Sequence, residues 1–307
     1  MSRRVLVTGG AGFIGSHLVE RLVDSGEQVA VVDDLSRGHR AWLAPEAELY
    51  ELDLRDGGGL RRILPEVAPE VVVHLAAMHF IPAVDDAPML AEEINVLGTR
   101  TLLETLAATP PEVVLFASTG AVYPDRRGPI DESCVPEPID LYGRTKLEGE
   151  RLVMESAERN GFRPLVARIF NVVGRRETNP HVVPDVVEQL RDGAGAVRVG
   201  NLSPRRDYTD VRDVADALQR LLAPASDHQI VFNVGSGRSV SVAELVQVCE
   251  RVLGRRIEIE VEPRRVRDRD RAELLADTRL LRETTGWEPT HSLPETLADL
   301  LRGPEAG

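Results

Sequence analysis

The sequence predicts an α/β protein built on a doubly wound parallel sheet (Rossmann type), followed by a smaller C-terminal lobe. Three observations predict it. Short apolar runs alternate with amphipathic stretches through about the first 170 residues, as repeated β-α units do. A glycine-rich turn directly follows the first of these runs. After Asn171 the predicted elements become shorter, and prolines interrupt them more often.

The predicted strands are continuous apolar runs, which is typical of parallel strands that helices cover on both faces. They span Val5–Thr8, Val29–Val32, Val71–Leu75, Val113–Ser118 and Leu165–Ile169. Between them, apolar residues at helical spacing predict helices over His17–Ser25, Leu60–Val67, Ala91–Ala107 and Tyr142–Asn160.

The change of character after Asn171 predicts a domain boundary. We expect residues 1–173 to form the sheet domain and residues 174–307 to form the smaller lobe. The apolar segment Ile230–Gly235 is expected to return to the main sheet, so that residues 230–240 belong with the first domain. The arginine-rich stretch Arg264–Arg271 lies in the smaller lobe and, taken alone, is typical of a solvated charged surface.

Composition and charge exclude several classes of protein. A chain of 307 residues can bury a substantial core, and its net charge of −13 argues against nonspecific nucleic-acid binding, which needs a basic surface. No apolar run approaches the length of a membrane-spanning helix, and Cys134 and Cys249 do not have the spacing of a metal site. The start of the chain has no secretory-signal pattern. We therefore expect a cytoplasmic protein that uses no metal and binds neither membrane nor nucleic acid.

The glycine-rich turn, Thr8–Gly15, predicts a dinucleotide site. Its Gly10-x-Gly12-x-x-Gly15 spacing follows a predicted strand and opens a predicted helix, which is the context that this motif requires. The glycines let backbone N–H groups approach a pyrophosphate, and the N-terminus of the helix favours the anion.

The end of the second strand predicts which dinucleotide is bound. This strand ends in Asp33-Asp34, about twenty residues after the glycine turn. A carboxylate there accepts hydrogen bonds from ribose hydroxyls and repels a 2′-phosphate, which favours NAD over NADP. Arg37 nearby is the feature that would suit NADP, and a role for Asp33 as a simple loop cap is the alternative.

Two further strand ends complete the predicted cofactor crevice. Asp53, in Glu51-Leu-Asp-Leu54, follows a strand and is placed to reach adenine. The segment His74-Leu-Ala-Ala77 ends another strand in small residues, which lets the backbone approach the cofactor. Each is compatible with an ordinary loop, but together they are spaced along successive strand ends.

Tyr142 and Lys146 predict chemistry at this crevice. Residues four apart share one face of a helix. A nearby ammonium favours the phenolate, so Lys146 is expected to lower the pKa of Tyr142 and to make it a usable acid/base. Tyr-x-x-x-Lys also occurs by chance on solvated helices, so this interpretation depends on the glycine turn that accompanies it.

Together these residues resemble the extended short-chain dehydrogenase/reductases, specifically the NAD-dependent nucleotide-sugar epimerase/dehydratase group. The resemblance covers essentially the whole chain. The matching motifs are Thr8–Gly15, Asp33, Asp53, His74–Ala77, Asn95–Thr99, Ala117–Tyr123, Tyr142 with Lys146, Arg168–Asn171, Arg206–Tyr208 and the segment from Arg267 to Asp277. So many motifs in order are specific to this family.

The resemblance implies NAD as cofactor and a role for each matching residue. Tyr142 would act as acid/base at the sugar 4-hydroxyl, Lys146 would hold the nicotinamide ribose, and Thr119 would hydrogen-bond the same sugar oxygen. Ser118 would lie beside Thr119. The implied cofactor contacts are Gly9, Gly12, Phe13, Ile14, Asp33, Asp34, Asp53, Leu54, Leu75, Ala76, Ala77, Asn95, Tyr142 and Lys146.

The implied substrate contacts include a site for the nucleotide diphosphate. They are His79, Thr119, Asn171, Thr178, His181, Val182, Val199, Arg206, Arg267 and Asp270. Arg206, Arg267 and Asp270 match the positions that hold the diphosphate, for which the arginine fork is well suited. His181 departs from the amide that is commoner at its position.

The residues after Thr119 distinguish the reactions of this family. Sugar 4,6-dehydratases follow the threonine with Asp-Glu, and UDP-glucuronate decarboxylases usually carry a Glu just before Val-Tyr. This chain has Gly120-Ala121 instead. The expected reaction is therefore NAD-dependent 4-epimerisation of a UDP-sugar through a transient 4-keto intermediate. A dehydratase, a decarboxylase, a reductase or dehydrogenase of nucleotide sugars, and a nonenzymatic NAD-sensing protein are the alternatives.

The sequence gives less information about which sugar is the substrate and about the oligomeric state. UDP-glucose/UDP-galactose is the default pair, but the Arg175–Pro180 loop and His79 would also suit the C6 carboxylate of UDP-glucuronate/UDP-galacturonate. Leu274 is intermediate between the aromatic and the small residues usual at its position, so acceptance of an N-acetyl group stays open. Family members usually pair through two helices, which predicts a homodimer through Ala91–Ala107 and Tyr142–Asn160.

Overall fold

The structure, a computed structural model, describes residues 2–191, 193–223, 229–266 and 270–303. Its strands are β1 (Arg4–Thr8), β2 (Gln28–Asp33), β3 (Glu48–Glu51), β4 (Val71–His74), β5 (Val113–Thr119), β6 (Arg163–Ile169), β7 (Asn171–Val173), β8 (Ala196–Val199), β9 (Arg205–Asp210), β10 (Val231–Val234), β11 (Ser239–Ser241), β12 (Glu258–Val261) and β13 (Glu273–Leu274). Its α-helices are α1 (Phe13–Asp24), α2 (Gly57–Val67), α3 (Ile81–Asp86), α4 (Pro88–Glu92), α5 (Gly98–Leu106), α6 (Leu141–Asn160), α7 (Val182–Arg191), α8 (Val211–Leu221), α9 (Val242–Leu253), α10 (Arg279–Thr285) and α11 (Leu293–Arg302).

A seven-stranded sheet has the order β10-β6-β5-β4-β1-β2-β3, and all neighbouring strands in it are parallel. The chain runs outwards from β1 to β3 and then returns to β4 on the other side of β1. Strand order therefore reverses beside β1, which opens a crevice at the carboxyl ends of the strands. The predicted doubly wound parallel sheet is confirmed.

Helices cover both faces of this sheet. Alternate residues of β1 point to opposite sides: Val5 and Val7 pack with α1 and α8, whereas Leu6 packs with α2, α5 and α6. All three side chains are fully buried. Because both faces of the sheet are covered by apolar side chains, its strands are continuous hydrophobic runs in the sequence, and they could be predicted for this reason.

The second half of the chain builds smaller sheets and also contributes to the first. As expected, β10 returns to the main sheet and pairs with β6. Strands β7, β9, β11 and β13 form a second sheet, and β8 pairs with β12. Helix α8 packs in the same hydrophobic core as α1. The boundary between two lobes at residue 174 stays a prediction. Among the residues that the structure describes, no helix has the length and apolarity needed to cross a bilayer.

Two predicted helices differ from the observed ones at functional positions. Helix α1 begins at Phe13, four residues before the predicted start, because Gly12 is its N-cap. The predicted helix Ala91–Ala107 is instead α4, a π-helical segment over Glu93–Leu97, and α5. The π-helical segment contains Asn95, and such segments often mark functional sites.

Candidate active site

The glycine turn between β1 and α1 has room only for glycine at its ends. Gly9 has φ 71°, and a Cβ there would lie 2.7 Å from the backbone nitrogen of Ala76. A Cβ on Gly15 would lie 2.1 Å from the Gly9 carbonyl oxygen. Gly12 N-caps α1 without a side-chain cap, so the first backbone N–H groups of the helix face the turn. This cradle fits the pyrophosphate of a dinucleotide.

Asp33 connects the end of β2 to the glycine turn. Its carboxylate is 8 % exposed and accepts hydrogen bonds from the backbone N–H groups of Ala11 (3.0 Å) and Leu35 (2.9 Å). Burial raises the pKa of Asp33, and these two bonds oppose the effect. The neighbouring Asp34 is exposed and accepts from Ser36. Asp33 is therefore the carboxylate positioned for a ribose.

Asp53, which was expected to reach adenine, is paired with a residue of its own loop. Arg55 contacts both carboxylate oxygens of Asp53 at 2.6–3.0 Å and also bonds Glu93 at 3.1 Å. This pairing lowers the pKa of Asp53. Leu54 beside it is buried in the core of the α2 face. Sequence reasoning missed the partner Arg55, although it lies only two residues away.

A buried chain of hydrogen bonds holds the end of β4. Thr99 Oγ1 donates to the carbonyl of Asn95 (2.7 Å), so it accepts from His74 Nε2 (2.8 Å). His74 Nδ1 is then the nitrogen that accepts from Thr8 Oγ1 (2.7 Å). Burial lowers the pKa of His74 to about 3. A neutral imidazole therefore fixes the start of the segment Leu75-Ala76-Ala77.

Asn95 joins that segment to the catalytic helix. Its side chain accepts from the backbone N–H of Met78 (2.7 Å) and donates to the Met78 carbonyl and to Thr145 Oγ1 (both 3.0 Å). Thr145 lies between Tyr142 and Lys146 on α6. The predicted cofactor contact Asn95 thus positions two elements of the site at once.

Helix α6 brings Tyr142 to Thr119. The helix is N-capped by Asp140, whose carboxylate accepts from the Gly143 N–H at 2.7 Å. Gly143 lies against the turn that follows β5, where a Cβ would come within 2.5 Å of the Ala121 carbonyl oxygen. This close approach places the Tyr142 phenol near Thr119, whose hydroxyl acts to lower the pKa of Tyr142.

Lys146 is buried one helical turn further on. It is 3 % exposed, and its Nζ lies 4.5 Å from the centroid of the Phe116 ring. Burial lowers the pKa of Lys146 to about 7, and the charge of Glu150 opposes this. Burial also raises the pKa of Tyr142, against the hydrogen bond from Thr119. Lys146 was expected to lower the pKa of Tyr142, whereas in the structure desolvation of the phenol is the largest effect and raises it.

Glu150 is a site residue that sequence reasoning missed. It is 7 % exposed and accepts hydrogen bonds from Ser118 and, through both oxygens, from Arg168 (2.7 and 3.0 Å). Arg168 in turn donates to the Tyr123 hydroxyl (3.0 Å). Ser118, predicted beside Thr119, thus directs its hydroxyl to Glu150. The available signal was spacing, since Glu150 follows Lys146 by four residues.

The predicted diphosphate residues form a cluster around Arg206. Arg206 is paired with Asp270 and donates to the main-chain carbonyls of Arg205 (2.8 Å) and Arg271 (2.9 Å). Asn171 lies at the start of β7 with a buried Oδ1 that has no hydrogen-bond partner in the structure. Arg267 lies outside the described residues.

Two predicted substrate contacts lie near the start of the second lobe. Val182 is half-buried at the start of α7. The side chain of Val199 is 1 % exposed and packs in the core formed by α7, α9 and α11, because β8 turns this residue inwards. The Val199 side chain is thus a core residue, and a substrate contact at this position stays a prediction.

Two of the remaining predicted substrate contacts, His79 and His181, lie in one cluster with Glu177 and Asn179, and we call these four residues the His79 cluster. Asn179 Nδ2 donates to His79 Nε2 (3.0 Å) and to Glu177 Oε1 (3.3 Å). The ring centroids of His79 and His181 are 6.2 Å apart. Donor atoms of His79, Glu177 and His181 all lie within 4.8 Å of one another, which is close enough for a metal ion. Thr178 is exposed between Glu177 and Asn179.

Comparisons with known proteins agree with this arrangement. The NAD dependent epimerase/dehydratase family model matches residues 5–235. A UDP-glucose 4-epimerase of Halalkalibacterium halodurans is 33% identical over 316 residues, which cover 96% of this chain and 93% of the relative.

Two solved structures have the same fold over nearly the whole chain. A UDP-glucose 4-epimerase of Thermotoga maritima, solved with UDP-glucose, superposes with a TM-score of 0.90 at 33% identity and covers 97% of both chains. A UDP-glucose 4-epimerase of Thermus thermophilus, solved as a complex with NAD, gives 0.89 at 32% identity and covers 98% of this chain and 99% of the other.

Lys146 allows a direct test of the site's electrostatics, because it is the only lysine in the sequence. Protein labelled with 13C at the lysine ε-carbon should give one side-chain signal that titrates near pH 7, since burial lowers the pKa of Lys146 to about 7. An unfolded chain keeps this lysine protonated to near pH 10. The folded protein should therefore gain stability relative to a Lys146→Met variant as the pH rises above 7. A signal that titrates near pH 10 in the folded protein would contradict the assignment.

Proposed function

Because the chain belongs to the NAD-dependent epimerase/dehydratase family, we propose that it interconverts the C4 epimers of a UDP-sugar, with NAD as its cofactor. One observation carries the proposal. Thr119 lies close enough to Tyr142 to lower its pKa, and both are near the buried Lys146, while the residues that follow Thr119 are Gly120 and Ala121. The site can therefore exchange a hydroxyl proton, but the turn after Thr119 supplies no carboxylate for elimination.

The dinucleotide is held by the first half of the chain. The glycine turn and the N-terminus of α1 would bind its pyrophosphate, and Asp33 would accept hydrogen bonds from its adenosine ribose. Lys146 would hold the nicotinamide ribose. When bound, NAD supplies the acceptor for a hydride and returns that hydride to the sugar.

The protein's own residues manage the proton at the sugar 4-hydroxyl. The Tyr142 oxygen takes this proton while the carbinol is oxidised and gives it back when the 4-keto group is reduced. Thr119 donates a hydrogen bond to the same sugar oxygen and steadies the developing charge. Because burial raises the pKa of Tyr142, we propose that the positive charges of Lys146 and of the bound nicotinamide lower it in the complex. A pKa of about 7 keeps Lys146 partly protonated at neutral pH.

The turn after β5 limits the reaction to this exchange. Gly120 and Ala121 are both buried. A Cβ on Gly120 would lie 3.1 Å from the ring of Phe170, so a side chain at this position would need the ring to move by a few tenths of an ångström. The dehydratase and decarboxylase alternatives need a carboxylate here.

The nucleotide would be held by the second half of the chain. We propose that Arg206, positioned by Asp270, binds the diphosphate, with Asn171 and Val182 contributing to the nucleotide site. The orphan Oδ1 of Asn171 supports this, because a buried amide oxygen without a partner is costly unless a ligand satisfies it.

Tyr142→Phe should lower kcat for UDP-galactose by about 10²- to 10⁴-fold, because it removes the group that transfers the proton. Epimers are followed by NMR without added NAD, and the NAD content of the variant should equal that of the wild type. Tyr50→Phe is the matched control, since the buried Tyr50 hydroxyl on β3 has no partner in the structure. Full activity of Tyr142→Phe, or equal losses in both variants, would contradict the role of Tyr142.

The cytoplasmic location of the protein stays a prediction. We also propose that the protein forms a homodimer through α4, α5 and α6. Leu90 and Leu97 are large apolar side chains on this stretch that are 40% and 48% exposed, which makes them candidates for the contact with a second copy. Light scattering should give twice the chain mass of 33.7 kDa, and Leu90→Asp/Leu97→Asp should halve it. The exposed Val261→Asp serves as the control. A monomeric wild type would contradict the proposal.

A further inference from the structure

The His79 cluster joins two loops that are distant in sequence. His79 follows β4, whereas Glu177, Asn179 and His181 follow β7. The Asn179 amide, in a residue that is 4 % exposed, bridges His79 Nε2 and Glu177 Oε1. The backbone N–H of Asn179 also donates to Glu177 Oε1 at 2.8 Å. The carboxylate is thus held in one orientation beside two imidazoles.

The cluster lies next to the catalytic helix. Met78 precedes His79, and both its backbone N–H and its carbonyl are hydrogen-bonded to the Asn95 side chain. Asn95 also donates to Thr145 Oγ1 on α6. Desolvation lowers the pKa of His79, and the charges of Lys146 and Arg37 lower it further. The hydrogen bonds of Asn95 and Asn179 thus connect Glu177, through Met78 and His79, to the helix that carries Tyr142 and Lys146.

In the loop that follows β7, the Glu177 carboxylate lies in the His79 cluster, whereas the Arg176 guanidinium lies elsewhere. Arg176 has φ 73°, a conformation that is uncommon for side chains other than Gly, Asn and Asp. The backbone reverses there, and the Arg176 guanidinium pairs with Glu20 on α1 at 2.6 Å. Arg175 lines a separate small cavity with His17 and Asp210. The arginines that would have suited a sugar carboxylate thus face the α1 side of the protein.

We infer that Glu177 makes the sugar site selective for UDP-sugars with uncharged substituents and disfavours UDP-uronates. The inference rests on the proposed epimerase function and narrows its substrate class. A hydroxyl can donate to the Glu177 carboxylate and accept from an imidazole, whereas a second carboxylate within a few ångströms of Glu177 repels it. Burial raises the pKa of Glu177, as expected for a carboxylate in a partly desolvated pocket.

The test compares UDP-galactose with UDP-galacturonate for the wild type and for Glu177→Gln. Glutamine keeps the acceptor oxygen for Asn179 and removes only the charge. The wild type should prefer UDP-galactose in kcat/KM by at least about tenfold, since each pKa unit of like-charge interaction corresponds to a factor of ten. Glu177→Gln should narrow this preference by about tenfold, mainly by lowering KM for the uronate. Glu188→Gln, which removes an exposed carboxylate on α7, should leave the preference unaltered.

Calorimetric binding of both UDP-sugars separates this inference from the proposed function. If the wild type binds UDP-galactose more tightly than UDP-galacturonate and the gap narrows in Glu177→Gln, the inference stands even without turnover. Equal acceptance of both sugars by the wild type, or an unchanged gap in Glu177→Gln, overturns it. A preference that survives EDTA supports it. A preference that EDTA abolishes and Zn²⁺ restores assigns the cluster to a metal ion instead and also overturns it.

Discussion

The burial of Lys146 is the constraint on which the active site depends. Removing an ammonium from water is costly, and here the Phe116 ring and the nearby Glu150 charge offset only part of that cost, because the pKa of Lys146 falls to about 7. The ammonium can lie there only if α6 sits very close to β5. Gly149 makes this possible, since a Cβ there would lie 2.4 Å from the Phe116 ring. The same close packing of α6 against β5 places Tyr142 near Thr119.

Glu150 connects the buried Lys146 to the central sheet. Its carboxylate is shared among Ser118 on β5, Arg168 on β6 and the charge of Lys146 on its own helix. A buried carboxylate with one partner removed would be left uncompensated, so these three elements are held in one arrangement. All the other cationic side chains apart from histidine are arginines, whose charge does not titrate in the physiological range. Lys146 is therefore the cation whose charge the protein can adjust.

Much of the fold and part of the site could be predicted from sequence. The strands were visible because both faces of the sheet are apolar, and the glycine turn and Tyr142–Lys146 depend on short spacings. Long-range contacts were not visible: the bond between Asn179 and His79 joins residues 100 positions apart. The direction of Glu177 depends on a positive φ at Arg176, and the pKa of Tyr142 depends on how much water the fold removes. Such quantities arise from tertiary packing, and residue spacing does not encode them.

The central claim is that a hydride leaves C4 and returns to the same carbon while Tyr142 moves only the hydroxyl proton. UDP-galactose that carries deuterium at C4 tests it most directly when it is incubated with the protein in ordinary water without added NAD. NMR of the 4-epimer should find the deuterium retained at C4, with no hydrogen exchange at C5. Exchange at C5 or transfer of deuterium to C6 would contradict the account, because each needs an acid/base that Gly120 and Ala121 do not supply. Loss of deuterium from C4 would contradict it as well, because the hydride would then not have returned to the same carbon.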